Sequence, residues 1–123
     1  IDPDSRRGFP VEANWDKEIL QTHRELIAIR HAYPCLRTGD YKVLFAEEEV
    51  EEEVYVFARI LDQQELIVAV NASITDAKVN VDISNLKSQP NKLLYASDKV
   101  ELKNQEDSKL LLNIPPRSGC IIN

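Results

Sequence analysis

The chain has 123 residues, 43% of them hydrophobic and 29% charged, enough for one packed domain but far short of the roughly 250 residues of a catalytic barrel. Its net charge of −6 has one source: Glu47 to Glu53 holds six glutamates and no base, while residues 1–46 carry seven basic and seven acidic side chains and residues 54–123 eight of each. A neutral body with one acidic run has no basic footprint for nucleic acid, and no apolar run approaches the roughly 18 residues of a membrane span, so neither partner is expected.

No methionine occurs anywhere, position 1 included, and the chain is expected to be a piece of a longer polypeptide. Residues 1–13, IDPDSRRGFPVEA, mix two prolines, a glycine and alternating charge, which predicts a connecting arm. Asp2, Asp4, Arg6 and Arg7 crowd opposite charges there. Arginine and carboxylate can lock such a segment by bidentate bonds, but spacing alone favours a solvated linker.

A helix is predicted over 14–33, with Asn14 as N-cap, Asp16 and Glu18 in the first turn, and Pro34 as the stop. At 100° per residue Trp15, Ile19, Leu26, Ile29 and Tyr33 form one stripe, and Leu20 and Ile27 a second lobe. Two lobes fit either two partners or one broad interface. His23, between them, reads as a half-buried spacer rather than a ligand or base.

Arg37-Thr38-Gly39-Asp40 is a predicted turn, and strands follow to the end of the chain. Tyr41–Ala46, Val54–Leu61 and Glu65–Asn71 are apolar on one or both faces; Ala77–Ile83 points Val79, Val81 and Ile83 inward. Short runs at 92–95, 100–102, 109–114 and 119–122 complete eight strands. Their spacing predicts an all-β, two-sheet antiparallel sandwich of Greek-key type over 39–123, preceded by one α-helix. Pro115 to Gly119 makes the last turn, with Gly119 freeing the backbone.

Little chemistry is visible. Carboxylates outside the glutamate run are scattered, and His23 and His31 do not share a helix face at metal spacing. The glutamate run reads as a solvated hairpin loop, since calcium loops space their oxygens and include a glycine turn. Cys35 and Cys120 lie in apolar surroundings and read as buried free thiols, with a disulfide open if the chain is secreted; a cytoplasmic setting is favoured. Asn71-Ala72-Ser73 is a glycosylation sequon, a pattern common by chance. No catalytic residue, metal or cofactor is expected.

The order DPDSRRGFP, a tryptophan-led helix ending LIAIRHAYPCLRTGDY, then VYVFAR, LIVAVN and LNIPPRSGCII resembles the tail of α-amylase family glycoside hydrolases, nearest to the neopullulanase and cyclomaltodextrinase type. The resemblance implies that residues 14–33 are the last helix of a (β/α)₈ barrel absent from this chain and that the strands are the non-catalytic domain C bracing it. It implies that Asp2, Asp4, Arg6 and Arg7 stand at the rim of an α-glucan cleft, with structural roles as plausible as substrate contacts. The parent would be a retaining glycosidase whose catalytic carboxylates precede residue 1. Where the family has a tryptophan after Phe-Pro, this chain has Val11 and Glu12.

Two other readings stand beside it. A carbohydrate-binding sandwich would need aromatics grouped on one surface, yet Tyr41, Phe45, Tyr55 and Phe57 read as core, leaving Tyr95 undecided. An interaction module with no sugar role would use the exposed helix face.

Overall fold

The computed structural model describes residues 8–46 and 53–123. Asp2, Asp4, Arg6, Arg7 and the glutamate run from Glu47 to Glu52 lie outside the described residues.

The alternation that predicts strands does so for a physical reason, since period-2 side chains let one face pack while the other meets something else. Strands β1 (Asp40–Ala46), β2 (Val54–Leu61), β3 (Gln64–Asn71), β4 (Ala77–Asp82), β5 (Leu93–Ala96), β6 (Glu101–Gln105), β7 (Lys109–Ile114) and β8 (Ser118–Ile122) form. They make a five-stranded sheet ordered β1-β2-β3-β8-β5 and a three-stranded sheet ordered β4-β7-β6, with every pairing antiparallel. Apart from the hairpins β1-β2, β2-β3 and β6-β7, each connection crosses between the sheets. The eight-stranded sandwich with crossing connections is therefore as the sequence predicts.

The core fills the space between the sheets. Val54, Val56, Ala58, Ile67, Ala69, Cys120 and Ile122 from the larger sheet meet Ala77, Val79, Val81, Leu110, Leu112 and Ile114 from the smaller. Fully burying one such aliphatic side chain contributes about 1.5–3 kcal/mol. The outer face of the smaller sheet is polar, with Lys78, Asn80 and Asp82 exposed, as expected for a sheet with one wet side.

Two buried polar residues tie loops to this frame. Glu65 accepts hydrogen bonds from the Ser88 N–H and hydroxyl, both at 2.7 Å, and so fastens the loop after β4 onto the larger sheet. Asn71, fully buried, donates from Nδ2 to the carbonyls of Thr75, Ile114 and Pro115 and accepts from the N–H and hydroxyl of Ser73. It joins the end of β3 to residues flanking β4 and β7, one sheet to the other.

Three local expectations are corrected. The N-cap is Asp16, whose carboxylate accepts from the N–H groups of Glu18 and Ile19 at 3.0 Å each, so helix α1 runs Lys17–Ala32 and Asn14 ends a 3-10 turn, Glu12–Asn14. The turn predicted at 37–40 is instead the end of a short helix α2, Cys35–Thr38, begun by Pro34 and capped by Gly39, from which β1 leaves directly. At the last turn Arg117, not Gly119, takes the left-handed conformation, at φ 48°. Gly119 sits within β8, where a Cβ would lie 2.9 Å from the Ala69 carbonyl oxygen, so the glycine serves close strand approach.

Candidate functional site

The chain's unusual surface is the outer face of the five-stranded sheet together with α1. In β2 and β3 the residues that point away from the core are Tyr55, Phe57, Arg59, Leu66, Val68 and Val70. A solvated sheet face would carry polar residues at these positions. Here, Arg59 apart, it is apolar, and the chain covers it incompletely. At one end Cys35 and Leu36 of α2 pack on Leu66 and Ile121, joined by Ile29 and Tyr33 from the last turn of α1 and its C-cap. Farther along, that cover stops.

Helix α1 rises from this corner and buries none of its 16 residues. Ile19 is 57% exposed and Ile27 53%, and these belong to the two different apolar lobes. The part of the helix packed on the sandwich core is its C-terminal end, at Ile29 and the C-cap Tyr33. His23 is exposed, not half-buried, with its Nδ1 bonded to the Ile19 carbonyl at 2.8 Å.

Between α1 and the sheet runs an open groove of about 570 Å³. Leu26, Val68, Val70, Tyr95 and Ile121 give it apolar walls, and Arg117 lies at its border. On the same sheet face, toward β1, the rings of Tyr41 and Phe57 stand 5.0 Å apart and those of Tyr55 and Phe57 5.7 Å apart, tilted by 38° and 41°. The Tyr41 and Tyr55 hydroxyls bond to each other. Tyr41 is 53% exposed, so the reading of Tyr41, Tyr55 and Phe57 as core fails, while Phe45 does pack against it. The signal that was available is register: with Val56 and Ala58 inward, Tyr55 and Phe57 must point out.

Before α1 the chain folds back on itself. The Trp15 indole N–H donates to the Pro10 carbonyl at 2.8 Å, and Phe9 meets Trp15 edge-to-face with ring centroids 5.7 Å apart. Phe9 and Val11 remain exposed and extend the apolar surface of the helix toward its N-terminus.

The groups that sequence patterns flagged for other chemistry are structural. Cys35 and Cys120 are buried free thiols. Burial pushes the Cys120 thiol up to about 11, and burial also raises Cys35 against the opposing charge of Arg59, so neither is poised as a nucleophile. Asn71 of the sequon has its amide inside the fold, which leaves no room for a glycan on the native domain. Among the described residues no three His, Cys, Asp or Glu side chains converge on a metal-sized site. What the arrangement offers is an adhesive surface.

Comparison with known proteins adds the context. A family model described as the alpha-amylase C-terminal domain matches residues 39–122. The debranching enzyme of Nostoc punctiforme superposes with a TM-score of 0.84 at 53% identity, over 99% of this chain and 24% of that one. An Anoxybacillus α-amylase superposes with a TM-score of 0.78 at 25% identity, over 98% of this chain and 25% of that one. The amylopullulanase of Thermoanaerobacterium saccharolyticum is 28% identical over 133 aligned positions, covering 98% of this chain and 10% of that protein. This chain thus spans a quarter or less of the length of each.

Proposed function

Because the chain belongs to the α-amylase C-terminal domain family, we propose that it is the non-catalytic sandwich of a glycoside hydrolase acting on α-glucans, and that it braces the catalytic (β/α)₈ barrel of the same polypeptide. The observation that carries this reading is the helix that leaves Ile19, Leu26 and Ile27 exposed while standing beside an apolar sheet face. An amphipathic helix is normally stabilised by the packing of its apolar side rather than by propensity. In this proposal α1 is the last barrel helix, residues 1–13 are the arm from the barrel, and 39–123 are domain C. Asp2, Asp4, Arg6 and Arg7 would then stand at the rim of the glucan cleft. The chemistry, a retaining double displacement by two carboxylates, belongs to the barrel.

The test uses Ile19→Asp/Ile27→Asp. Both positions are exposed in this chain, so the isolated chain should keep its stability within about 0.5 kcal/mol. In the whole polypeptide the two charges would be pressed into an apolar contact, and soluble, active enzyme should be lost. Undiminished α-glucan hydrolysis by that double variant would overturn the bracing role, and hydrolysis of starch or pullulan by the isolated chain would overturn its non-catalytic character.

One observation favours a second reading. Tyr41, Tyr55 and Phe57 form an aromatic group at the surface, the kind of platform on which pyranose rings stack. Their face is continuous with the groove beside α1, which suits cover by protein better. Saturable NMR shifts at these three residues on titration with maltooligosaccharides would promote the sugar platform over the barrel contact.

A further inference from the structure

A helix that packs on nothing along most of its length should swing or fray, since an isolated helix of 16 residues is marginal in water. The corner that attaches α1 to the sandwich is nevertheless held by several hydrogen bonds. Arg37 Nη1 donates to the carbonyls of Arg30 at 2.8 Å and His31 at 2.6 Å, two acceptors that a helix end leaves without intrahelical partners. Arg30 Nη1 returns the contact, donating to the Leu36 carbonyl at 2.7 Å. The two arginines, one on each helix, thus bond α1 and α2 to each other.

Helix α2 is in turn fixed to the sheet. The Cys35 N–H donates to Gln64 Oε1 and Arg59 Nη2 donates to the Gly39 carbonyl, both at 2.9 Å. Cys35 and Leu36 are buried. Gly39 is packed so closely that a Cβ there would stand 2.5 Å from the Cys35 carbonyl oxygen and 2.8 Å from that of Ile60. Between the helices the chain passes through Pro34, whose ring removes the freedom of φ. From β2 and β3 through α2 to α1 there is no unbonded swivel.

We propose that α2 is a rigid elbow that presets the direction of α1 relative to the sandwich, with Arg30 and Arg37 as its positioning residues. The helix then meets its partner already aligned, and docking does not bear the entropy of ordering it. Only the partner's identity rests on the barrel reading; the rigidity is a property of this chain and is measured without barrel or sugar, so the two can fail separately.

The experiment is NMR on the 123-residue chain and its Arg30→Ala/Arg37→Ala variant. In the unaltered chain, residual dipolar couplings of α1 and of the sandwich should fit one alignment tensor, with backbone order parameters in α1 near the rigid value of about 0.85. In the variant, order parameters over 24–32 should fall below about 0.6 and their amide exchange should accelerate at least about tenfold, with Val56, Ile67 and Leu112 unchanged. Separate tensors in the unaltered chain would overturn the proposal, whatever the variant does. So would a folded variant whose helix still shares the sandwich's tensor and order.

Discussion

Replacing Asn71 by alanine tests whether the two sheets are held in place by one buried amide. Its two N–H groups are shared among the carbonyls of Thr75 at 2.8 Å, Ile114 at 3.0 Å and Pro115 at 3.1 Å, and its oxygen accepts from the Ser73 N–H at 3.0 Å and hydroxyl at 2.6 Å. Near Thr75 and Pro115 the surroundings are only partly buried, so water can replace the lost bonds there. The Ile114 carbonyl and the Ser73 N–H lie in buried bonds, and stranding each costs about 1–3 kcal/mol. Together the two cost about 2–6 kcal/mol, a large share of the roughly 5–15 kcal/mol that holds an ordinary domain. With a urea slope of about 1.5 kcal/mol/M the midpoint should drop by about 1–4 M. Asn71→Asp keeps the shape but supplies no donor, and turns a charge toward three carbonyls, which raises the folded-state pKa of the new carboxyl. That variant should lose more than the alanine variant at pH 7 and regain part of the loss as pH falls and the carboxyl protonates. An alanine variant within about 1 kcal/mol of the parent, or an aspartate variant equal to it at pH 7, would refute the reasoning.

Two smaller perturbations follow from the same structure. Gly39→Ala must move backbone at Cys35 or Ile60, because both clashing oxygens are main-chain atoms; equilibrium urea unfolding should show a loss of about 1–3 kcal/mol, and a change under about 0.5 kcal/mol would contradict the close approach. Burial alone would raise the Glu65 carboxyl, but the bonds from Ser88 and the nearby Lys87 outweigh it and hold it below its ordinary 4.5. Stability from Glu65 is therefore complete above that value and lost as pH falls through the lowered one. Glu65→Gln should flatten the stability profile below pH 4.5, and an unchanged slope there would refute the assignment.

The strands were legible because burial writes itself into alternation. Val79, Val81 and Ile83 face inward as their period requires, and turn residues separate each run from the next. The helix ends were less legible, since Asn14 and Asp16 are both good caps and the choice depended on where Pro10 and Trp15 turn the chain. Local rules place Gly119 in the turn, whereas its requirement comes from Ala69 on a neighbouring strand, a contact that no local window contains. The arginines at 30 and 37 belonged to the family resemblance without a mechanism; their bonds to carbonyls six and seven residues away supply one. Most of the candidate surface is not legible in the sequence, because an aromatic in a strand apolar on both faces has the same pattern whether or not the second face is covered.

The apolar second face bears on the architecture. β2 and β3 have the composition of strands buried on both sides, a pattern that belongs to sheets lying between two other layers. The smaller sheet supplies one layer through the shared core, and its own outer face is polar, so the sandwich ends there. On the other side α2 supplies a fragment of a layer over Leu66 and Ile121, and α1 continues it without closing on the sheet. Tyr41, Val43, Tyr55 and Val70 are the residues past the edge of that fragment, and all four are exposed. A sheet built for three layers with two and a fraction present calls for the remainder from elsewhere. In the proposed enzyme the barrel is that remainder, with α1 belonging to it, held by the elbow at the angle the interface requires.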